Sequence, residues 1–550
     1  MLIGIDLDNT LVNYDQSFIV AAKFLNLNLP ILVNTKTKIR DWARHEEGGE
    51  FLWQKLQGLA YGKFLNDYAK IYPGVIRFLW HCKFRAHKVK IVSHKTEYGH
   101  FDAERLPIRS IATNFLKSNG LLDSIDSLIA DINFVSTLDA KVDEICLQNF
   151  DWFIDDLPDV IDRIAKCNRL KKILFDPDLI KSQEISRLQP NILVANDWQQ
   201  VDTQINGEWT EEEVKEIASR SLKCKIFSSN KVTIGRNSRV YKLLLTDHTL
   251  IKMKIYPIAQ QHNRLFSEYL ATQAMSHLGI KDIPRPVAKD THLGVGFFEW
   301  VDGKPIESHG PEEINLSLNF LRNLHALRNK PEFLDAPLAS AACLSGRDIE
   351  SQLKNRYHQF DEARCLSRDL DNFLKNNFLP VMDFFLGSVK KVRPKKKYQQ
   401  KLSRDEQTLS PSDFGFHNMI KCNDGTITFL DFEYFGWDDP VKLVSDFLYH
   451  PAMTLTTEQK IIWIRGAYLI YGAKMIERLK IFHPLYGLIW CLILLNDFRR
   501  DIRGRQFLDD NSETLVYLTK SKIQLTKAKK LLKNIQKLDN TFLIEKIFNE

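Results

Sequence analysis

The sequence predicts two successive folds: an α/β doubly wound parallel sheet with a helical cap, followed by a two-lobed α+β domain. Three observations predict them. Through the first two hundred of the 550 residues, short apolar strands alternate with helical segments, the pattern of a parallel sheet covered on both faces. Asp6, Ser93 and Asp155 end three of these apolar runs, and strand carboxyl ends are where such sheets bind ligands. Beyond about residue 225 a strand-rich stretch gives way, after Glu299-Trp300, to a mostly helical remainder.

The elements follow in order. Leu2 to Ile5 is a buried strand ending at Asp6. Residues 15 to 72 are aromatic-rich and helical, with Phe51-Leu52-Trp53 and Phe64-Leu65, and are placed to cap the site. Val75 to Cys82 reads as a helix after Pro73-Gly74, Val89 to Val92 as a strand, and Phe150 to Ile154 as another ending at Asp155. Residues 1–205 therefore form one domain. The pattern loosens over 206–224, around Gly207 and the acidic run Glu211-Glu212-Glu213, which is read as a linker. Val240 to Leu245 and Leu250 to Tyr256 flank a Thr-Asp-His turn and read as a hairpin. The second domain spans 225–550, with a strand-rich lobe at 225–300 and a helical lobe at 301–550.

Composition narrows the class. A hydrophobic fraction of 44% and a charged fraction of 26% suit a soluble globular chain and exclude wholesale disorder. The net charge of +7 is a small difference between 76 basic and 69 acidic side chains, so it does not argue for nucleic acid or membrane. The eight cysteines are scattered without a C-x-x-C pair. That predicts reduced thiols and a cytoplasmic location rather than a disulfide framework or a zinc site. The first residues, with Asp6 so early, do not read as a signal peptide. The apolar stretch Leu485 to Leu495 is too short to span a bilayer and reads as a buried helix.

The first chemical constellation is Asp6-Leu7-Asp8-Asn9-Thr10. In extended geometry the two carboxylates face the same way. Their mutual repulsion is relieved by a divalent cation, and an oxygen-only site suits magnesium. Asp155-Asp156 ends a later strand and can complete that site; Ser93 can hold a phosphate oxygen and Lys141 can neutralise phosphoryl charge. Lys95 lies close enough in sequence to compete with Lys141.

With these positions in this order, residues 1 to about 200 resemble the haloacid dehalogenase-like hydrolases, whose fold is a Rossmann-like sheet with a cap. The resemblance implies a nucleophilic Asp6 that forms an aspartyl-phosphate. It also implies that Asp8 is the general acid and base. Asp6, Asp155 and the Asp8 main-chain carbonyl would hold magnesium.

The second constellation is Ser412-Asp413-Phe414-Gly415-Phe416-His417-Asn418, then Phe429-Leu430-Asp431-Phe432-Glu433. A carboxylate, an amide five residues on and a second strand-end carboxylate form a phosphotransfer set. The spacing D-x4-N alone is a loop of turn-forming residues. Upstream, Gly235-Arg236-Asn237-Ser238 can cover phosphates, although alone it is only a turn. Lys252 and Lys254 share a strand face, Glu268 can pair with one of them, and Phe297 to Val301, including Glu299, can wall an adenine pocket.

Residues 225 to about 510 thereby resemble the aminoglycoside phosphotransferase and choline kinase-like family, a branch of the protein-kinase-like fold. Asp431 to Pro440, Asp446-Phe447 and Leu324-His325 carry the likeness. It implies that Asp413 is the catalytic base, that Asn418 and Asp431 bind magnesium, and that Lys254, two residues before Tyr256, serves ATP in preference to Lys252. The chain departs from the family in one place: Pro411-Ser412 stand where the family usually has His-Gly.

The combined expectation is a bifunctional enzyme using magnesium and ATP, acting on a small-molecule phosphoester and on the hydroxyl of a sugar or amino alcohol. One alternative is a single catalytic half beside a nucleotide-sensing or scaffold module. A weaker one is a nucleic-acid end-processing phosphatase and kinase. The six basic residues within 390–397 read as a solvated loop, and neither nucleic acid nor membrane is expected as a partner. Oligomeric state is not legible.

Overall fold

In the computed structural model, the described residues are 1–549 except 31, 100, 102–103, 123–126, 168, 179–191, 233–237, 259–261, 308, 500–510 and 538. The chain divides into two compact units. One comprises Met1–Asp247, Ile255–Gln260 and Asp290–Val295; the other comprises His248–Lys254, Gln261–Lys289 and Gly296–Glu550.

The first unit is built on a six-stranded sheet in the order Asp131–Val135, Lys88–His94, Leu2–Ile5, Trp152–Asp155, Lys171–Phe175 and Leu193–Ala195. Every pairing is parallel. The amino-terminal strand is central, so the chain builds outward to one edge and then crosses to the other side. The reversal lies between the carboxyl ends of Leu2–Ile5 and its neighbours, the crevice where ligands bind in such sheets. Two separate apolar clusters show that both faces are covered. One contains Ile3, Ile5, Val75 and Phe78; the other contains Val92, Val142, Phe153 and Ile161. Gly4 is required between them, because a Cβ there would stand 2.4 Å from the Phe153 ring.

The expected cap is helical: Asp15–Phe24, Lys36–His45, Gly49–Tyr61 and Leu65–Tyr68. A short antiparallel pair, Val12–Asn13 with Lys70–Ile71, closes its base. Tyr14, Phe18, Trp53 and Tyr61 pack there at ring distances of 4.9–5.6 Å.

Two expectations are corrected in this unit. The stretch 206–224, read as a linker, carries the helix Glu211–Leu222. Thr210 and Glu213 form a reciprocal capping box, and Val214, Ile217 and Ala218 are buried, so the acidic run is a helix start. The cysteines are not all free: Cys146 and Cys167 are disulfide-bonded, because the helix Leu138–Leu147 and the turn after Ile164–Lys166 bring their Cα atoms within 5.9 Å.

The strands Leu250–Ile255, Pro286–Asp290 and Val295–Glu299, whose residues other than Ile255, Asp290 and Val295 belong to the second unit, precede its helical lobe. Its apolar core joins Leu324, Phe414, Phe429, Phe447, Trp463 and Leu485. Two small antiparallel pairings shape the loops that matter: Thr408–Ser410 with Gly436–Asp438, and Met419–Cys422 with Ile427–Phe429. Gly436 cannot carry a side chain, since a Cβ would lie 2.4 Å from the Pro337 carbonyl oxygen and 2.5 Å from the Ala339 amide.

The apolar stretch at 485–495 belongs to a longer run, Ala473–Phe498, whose 26 residues meet the length and composition of a membrane span. Two thirds of its apolar window, 67%, is buried within the protein, so its side chains are used in core packing. The basic stretch is not a loop. Lys390 and Lys391 close the helix Leu379–Val392, and Lys395–Gln399 forms a short helix of its own.

Candidate active sites

In the first unit the sequence-predicted residues converge. Asp6 follows Leu2–Ile5 directly, and its backbone N–H donates to the Ile154 carbonyl at 2.9 Å. Asp6 thereby lies beside Asp155, the last residue of Trp152–Asp155. Lys141, from the helix Leu138–Leu147, donates to Asp6 Oδ1 at 2.7 Å and is ion-paired with Asp155 Oδ2 at 2.7 Å. This ammonium is 1% exposed. Asp6, Asp155 and Asp156 present carboxylate oxygens within 4.8 Å of one another, all buried.

Burial, reinforced by Asp155, Asp156 and Asp8 against the opposing charge of Lys141, pushes the Asp6 carboxyl up to about 8. Burial also raises Asp155 against the same lysine. Three buried carboxylates facing one ammonium form an oxygen-donor set with excess negative charge. A divalent cation fits it.

Lys95 does not share this position. Its Nζ lies 2.9 Å from Asp8 Oδ2 and 4.1 Å from the Tyr61 ring centroid. Although burial opposes it, Lys95 and then Lys36 hold the Asp8 carboxyl below the usual carboxylate value. The two lysines thus take different partners, Lys141 on Asp6 and Asp155 and Lys95 on Asp8. Ser93 is 1% exposed, and its Oγ has no hydrogen-bond partner among the described residues. It is a buried hydroxyl near the carboxyl end of Lys88–His94, the strand paired with Leu2–Ile5. Asn9 supports the turn with φ 62°, and Thr10 Oγ1 donates to Asp6 Oδ2 at 3.4 Å.

In the second unit, Lys254 is enclosed by three carboxylates. Its Nζ lies 2.7 Å from Glu268 Oε2, 2.6 Å from Asp431 Oδ1 and 2.9 Å from Glu433 Oε2. Glu268 reaches it from the helix Arg264–His277. Burial alone would discharge the lysine, but Asp431, Glu268 and Glu433 hold its pKa well above the ordinary value. Lys252 is 3.7 Å from Glu268, and burial lowers its pKa. Lys254 is the lysine at the centre.

Glu433 is the residue that sequence reasoning missed. It also binds Arg264 at 2.8 Å, and its backbone carbonyl meets His262 Nε2 at 2.9 Å. Asp431 adopts φ 65°, and this left-handed turn sets both carboxylates of Asp431-Phe432-Glu433 against one lysine. A helical or extended reading of those three residues does not reveal it.

Asp413 sits in the loop between Thr408–Ser410 and Met419–Cys422. Its Oδ1 is 3.1 Å from His417 Nε2 and 3.9 Å from His450 Nε2, and the two imidazoles stack at 4.1 Å. Burial opposes ionisation, but the His417 hydrogen bond, His417 and His450 charge, and Asn418 hold the Asp413 carboxyl below its ordinary value. Asn418 Nδ2 donates to the Asp413 carbonyl at 2.9 Å, and the Leu430 N–H donates to the Asn418 carbonyl at 2.8 Å. The hairpin Met419–Cys422/Ile427–Phe429 therefore ties Asn418 to the chain just before Asp431. Asp431, Glu268 and Glu433 also lie within 4.8 Å of one another, with the Lys254 ammonium against all three.

Ser412, just before Asp413, has φ 68°, a left-handed backbone in a residue that is not glycine. Glu299 is engaged with Arg285 in a two-pronged pair at 3.0 and 3.1 Å, beside buried Phe297 and Phe298. Gly235 and Asn237 lie outside the described residues.

Residues 230–466 match the phosphotransferase enzyme family. No curated protein matches the chain. Among solved structures, a spectinomycin phosphotransferase bound to ADP and spectinomycin is similar at 12% identity and TM-score 0.43, covering 60% of this chain and 99% of its own. A choline kinase from Streptococcus pneumoniae gives 13% identity and TM-score 0.39, covering 59% of this chain and 98% of its own. An ethanolamine kinase from Plasmodium vivax gives 15% identity and TM-score 0.36, covering 55% of this chain and 82% of its own.

Proposed function

We propose, starting from the phosphotransferase-family match of residues 230–466, that the C-terminal half transfers the γ-phosphoryl group of ATP to a small-molecule hydroxyl. The observation that carries this reading is Lys254 fixed between Glu268 and Asp431. Such a pairing orients a lysine toward nucleotide phosphates. Asp413 accepts the proton of the attacking hydroxyl, and its lowered pKa keeps it ionised and able to do so. His417 and Asn418 fix its orientation. Asn418 and Asp431 are the residues that would hold magnesium, whose charge would offset that of the phosphates. Phe297 and Phe298 support the strand that would carry the adenine wall, and Glu299 belongs to that strand's end.

We infer a separate phosphohydrolase in the first unit, supported by Asp6, Asp155 and Lys141 in one buried cluster with Ser93 close by in the sheet. Asp6 attacks phosphorus and forms an aspartyl-phosphate. Asp8, ionised beside Lys95, is set to draw a proton from the water that releases phosphate and regenerates Asp6, and must first take up a proton before it can serve the leaving oxygen. Lys141 balances charge on the transferring group, and Ser93 holds one of its oxygens. Magnesium on Asp6, Asp155 and the Asp8 carbonyl would add Lewis-acid stabilisation.

The two readings are tested on the full chain. Asp6→Asn should abolish phosphate release from phosphoesters and leave ATP consumption intact. Asp413→Ala should abolish acceptor phosphorylation and leave phosphoester hydrolysis intact. Loss of both activities in either variant would overturn the assignment of one chemistry to each half. Absence of ATP binding together with no effect of Asp431→Ala would make the second half a scaffold.

A further inference from the structure

Cys146 and Cys167 join the two elements that flank the first-unit carboxylates. Cys146 is in the last turn of the helix Leu138–Leu147, the helix that supplies Lys141 to Asp6 and Asp155. Cys167 follows Ile164–Lys166, which continues the helix Pro158–Arg163. That helix begins directly after Asp155-Asp156-Leu157, and the Leu157 N–H donates to Asp155 Oδ1 at 2.9 Å. The two Cα atoms are 5.9 Å apart, within the ordinary span of a disulfide. The cysteines are separated by 21 positions, and Asp155 and Asp156 lie between them. The bond therefore closes a covalent loop that carries both aspartates and is anchored on the helix of their lysine.

Besides the bond, the two helices share an apolar cluster that contains Val142, Ile145, Val160 and Ile161. Arg163 also meets Asp139 at 2.7 Å and Asp159 at 3.0 Å, but these side chains are exposed, and such pairs contribute little. The bond is thus the strongest tie between the helix of Lys141 and the segment that follows Asp155. It is also a bond suited to opening. Six of the eight cysteines are thiols, and Cys365 among them is exposed. One disulfide beside six thiols fits reversible exchange better than a permanent framework. Cys146 and Cys167 are only half-buried, so a small thiolate can reach their sulfurs.

We propose that Cys146 and Cys167 are a thiol–disulfide exchange site through which small-molecule thiols and disulfides control the first-unit phosphohydrolase, the disulfide form being the active one. This rests on the phosphohydrolase reading above and adds its regulation. In the oxidising direction one cysteine thiolate attacks a sulfur of a small-molecule disulfide. The small-molecule sulfur–sulfur bond breaks, one thiolate leaves, and a mixed disulfide forms. The second cysteine thiolate then attacks the protein sulfur of that mixed disulfide, forms the Cys146–Cys167 bond and releases the second small thiolate. Two electrons pass from the cysteine pair to the small molecule, and the two cysteine protons end on the released thiols. Two small-molecule thiols reverse both steps. With the bond open, Lys141 and Asp155 no longer belong to one covalently closed unit.

The test equilibrates the full chain with oxidised or reduced glutathione. Alkylation followed by peptide mass reads the Cys146–Cys167 pairing. Phosphate release from an aryl phosphate, ATP consumption and magnesium affinity without ATP are measured in each state. Reduction should open the bond, lower phosphate release by about fivefold or more and leave ATP consumption unchanged. Cys146→Ser/Cys167→Ser should match the reduced parent in both states, with ATP consumption reporting that the variant chain is intact. Cys365→Ser should keep the parent's full response. Equal phosphate release from the oxidised and reduced parent overturns the proposal and leaves the phosphohydrolase reading standing. So does alkylation of both cysteines after oxidation, or a response that survives in the double serine variant. If no state releases phosphate, the phosphohydrolase reading fails and magnesium affinity decides the redox coupling. A loss of about fivefold on reduction, absent from the double serine variant, sustains the coupling; equal affinity in both states overturns it.

Discussion

Ser412 takes φ 68° immediately before the proposed base. A left-handed conformation costs an L-residue about 1–2 kcal/mol. Glycine there loses about 0.5–1 kcal/mol through extra freedom in the unfolded chain. The balance favours glycine, so Ser412→Gly should leave stability equal or higher by up to about 1 kcal/mol and should retain activity. Denaturant unfolding with a kinase assay reads both quantities. Marked destabilisation would mean that the Ser412 side chain supports the loop. Asp431, at φ 65°, is a different case. Its backbone turn aims a carboxylate at Lys254, so the strain coincides with the proposed ATP site. The sequence marked Asp431 and Lys254 by residue type and order. Glu433 was not legible as their third partner, because its direction depends on that one positive φ.

At the scale of elements, three of the six strands of the first-unit sheet were legible, because their apolar runs lead to Asp6, Ser93 and Asp155, which the sheet buries; Asp131–Val135, Lys171–Phe175 and Leu193–Ala195 were not. The helix Glu211–Leu222 was misread because charge density was weighed above its capping box, although Thr210 and Glu213 have the required spacing. The basic stretch was misread for the same reason. Its lysines close one helix and open another, and Glu350 ties them down. Glu350 meets Lys354 at 2.8 Å, Lys390 at 2.8 Å and the Tyr398 hydroxyl at 3.0 Å. Burial acts against it, but hydrogen bonds from Lys354, Lys390 and Tyr398 bring its pKa from 4.5 down to about 2. A depressed carboxyl pKa contributes stability above the unfolded value that is lost as pH falls through the folded one. The window here is therefore pH 4.5 to 2. Screening at its exposed lysine partners limits the effect to about 1 kcal/mol. Glu350→Gln should flatten the acid limb of stability by that amount. Parallel urea titrations at pH 6 and pH 3 check it, and an unchanged difference between the two pH values would show that the cluster contributes nothing.

At the scale of the whole molecule, the two constellations occupy separate compact units, so their ligand linkages should separate as well. In the first unit, burial followed by the neighbouring carboxylates pushes Asp6 up from 3.8 to about 8. Its folded value exceeds its unfolded one, so the metal-free unit loses stability as pH rises between those values. A cation that ligates Asp6 must displace its proton below pH 8. Magnesium affinity should therefore rise by up to about tenfold per pH unit between pH 6 and 8 and level off above. At about one hundred times Kd, magnesium should stabilise this unit by about 2.7 kcal/mol. Asp155→Asn should cancel that increment and leave stabilisation by magnesium with ATP, whereas Asp431→Asn should do the reverse. Calorimetry with magnesium alone and with magnesium plus ATP, at three pH values, reads all of these effects. A magnesium increment independent of pH would place the cation away from Asp6. One removed equally by both variants would make the two sites a single linked system.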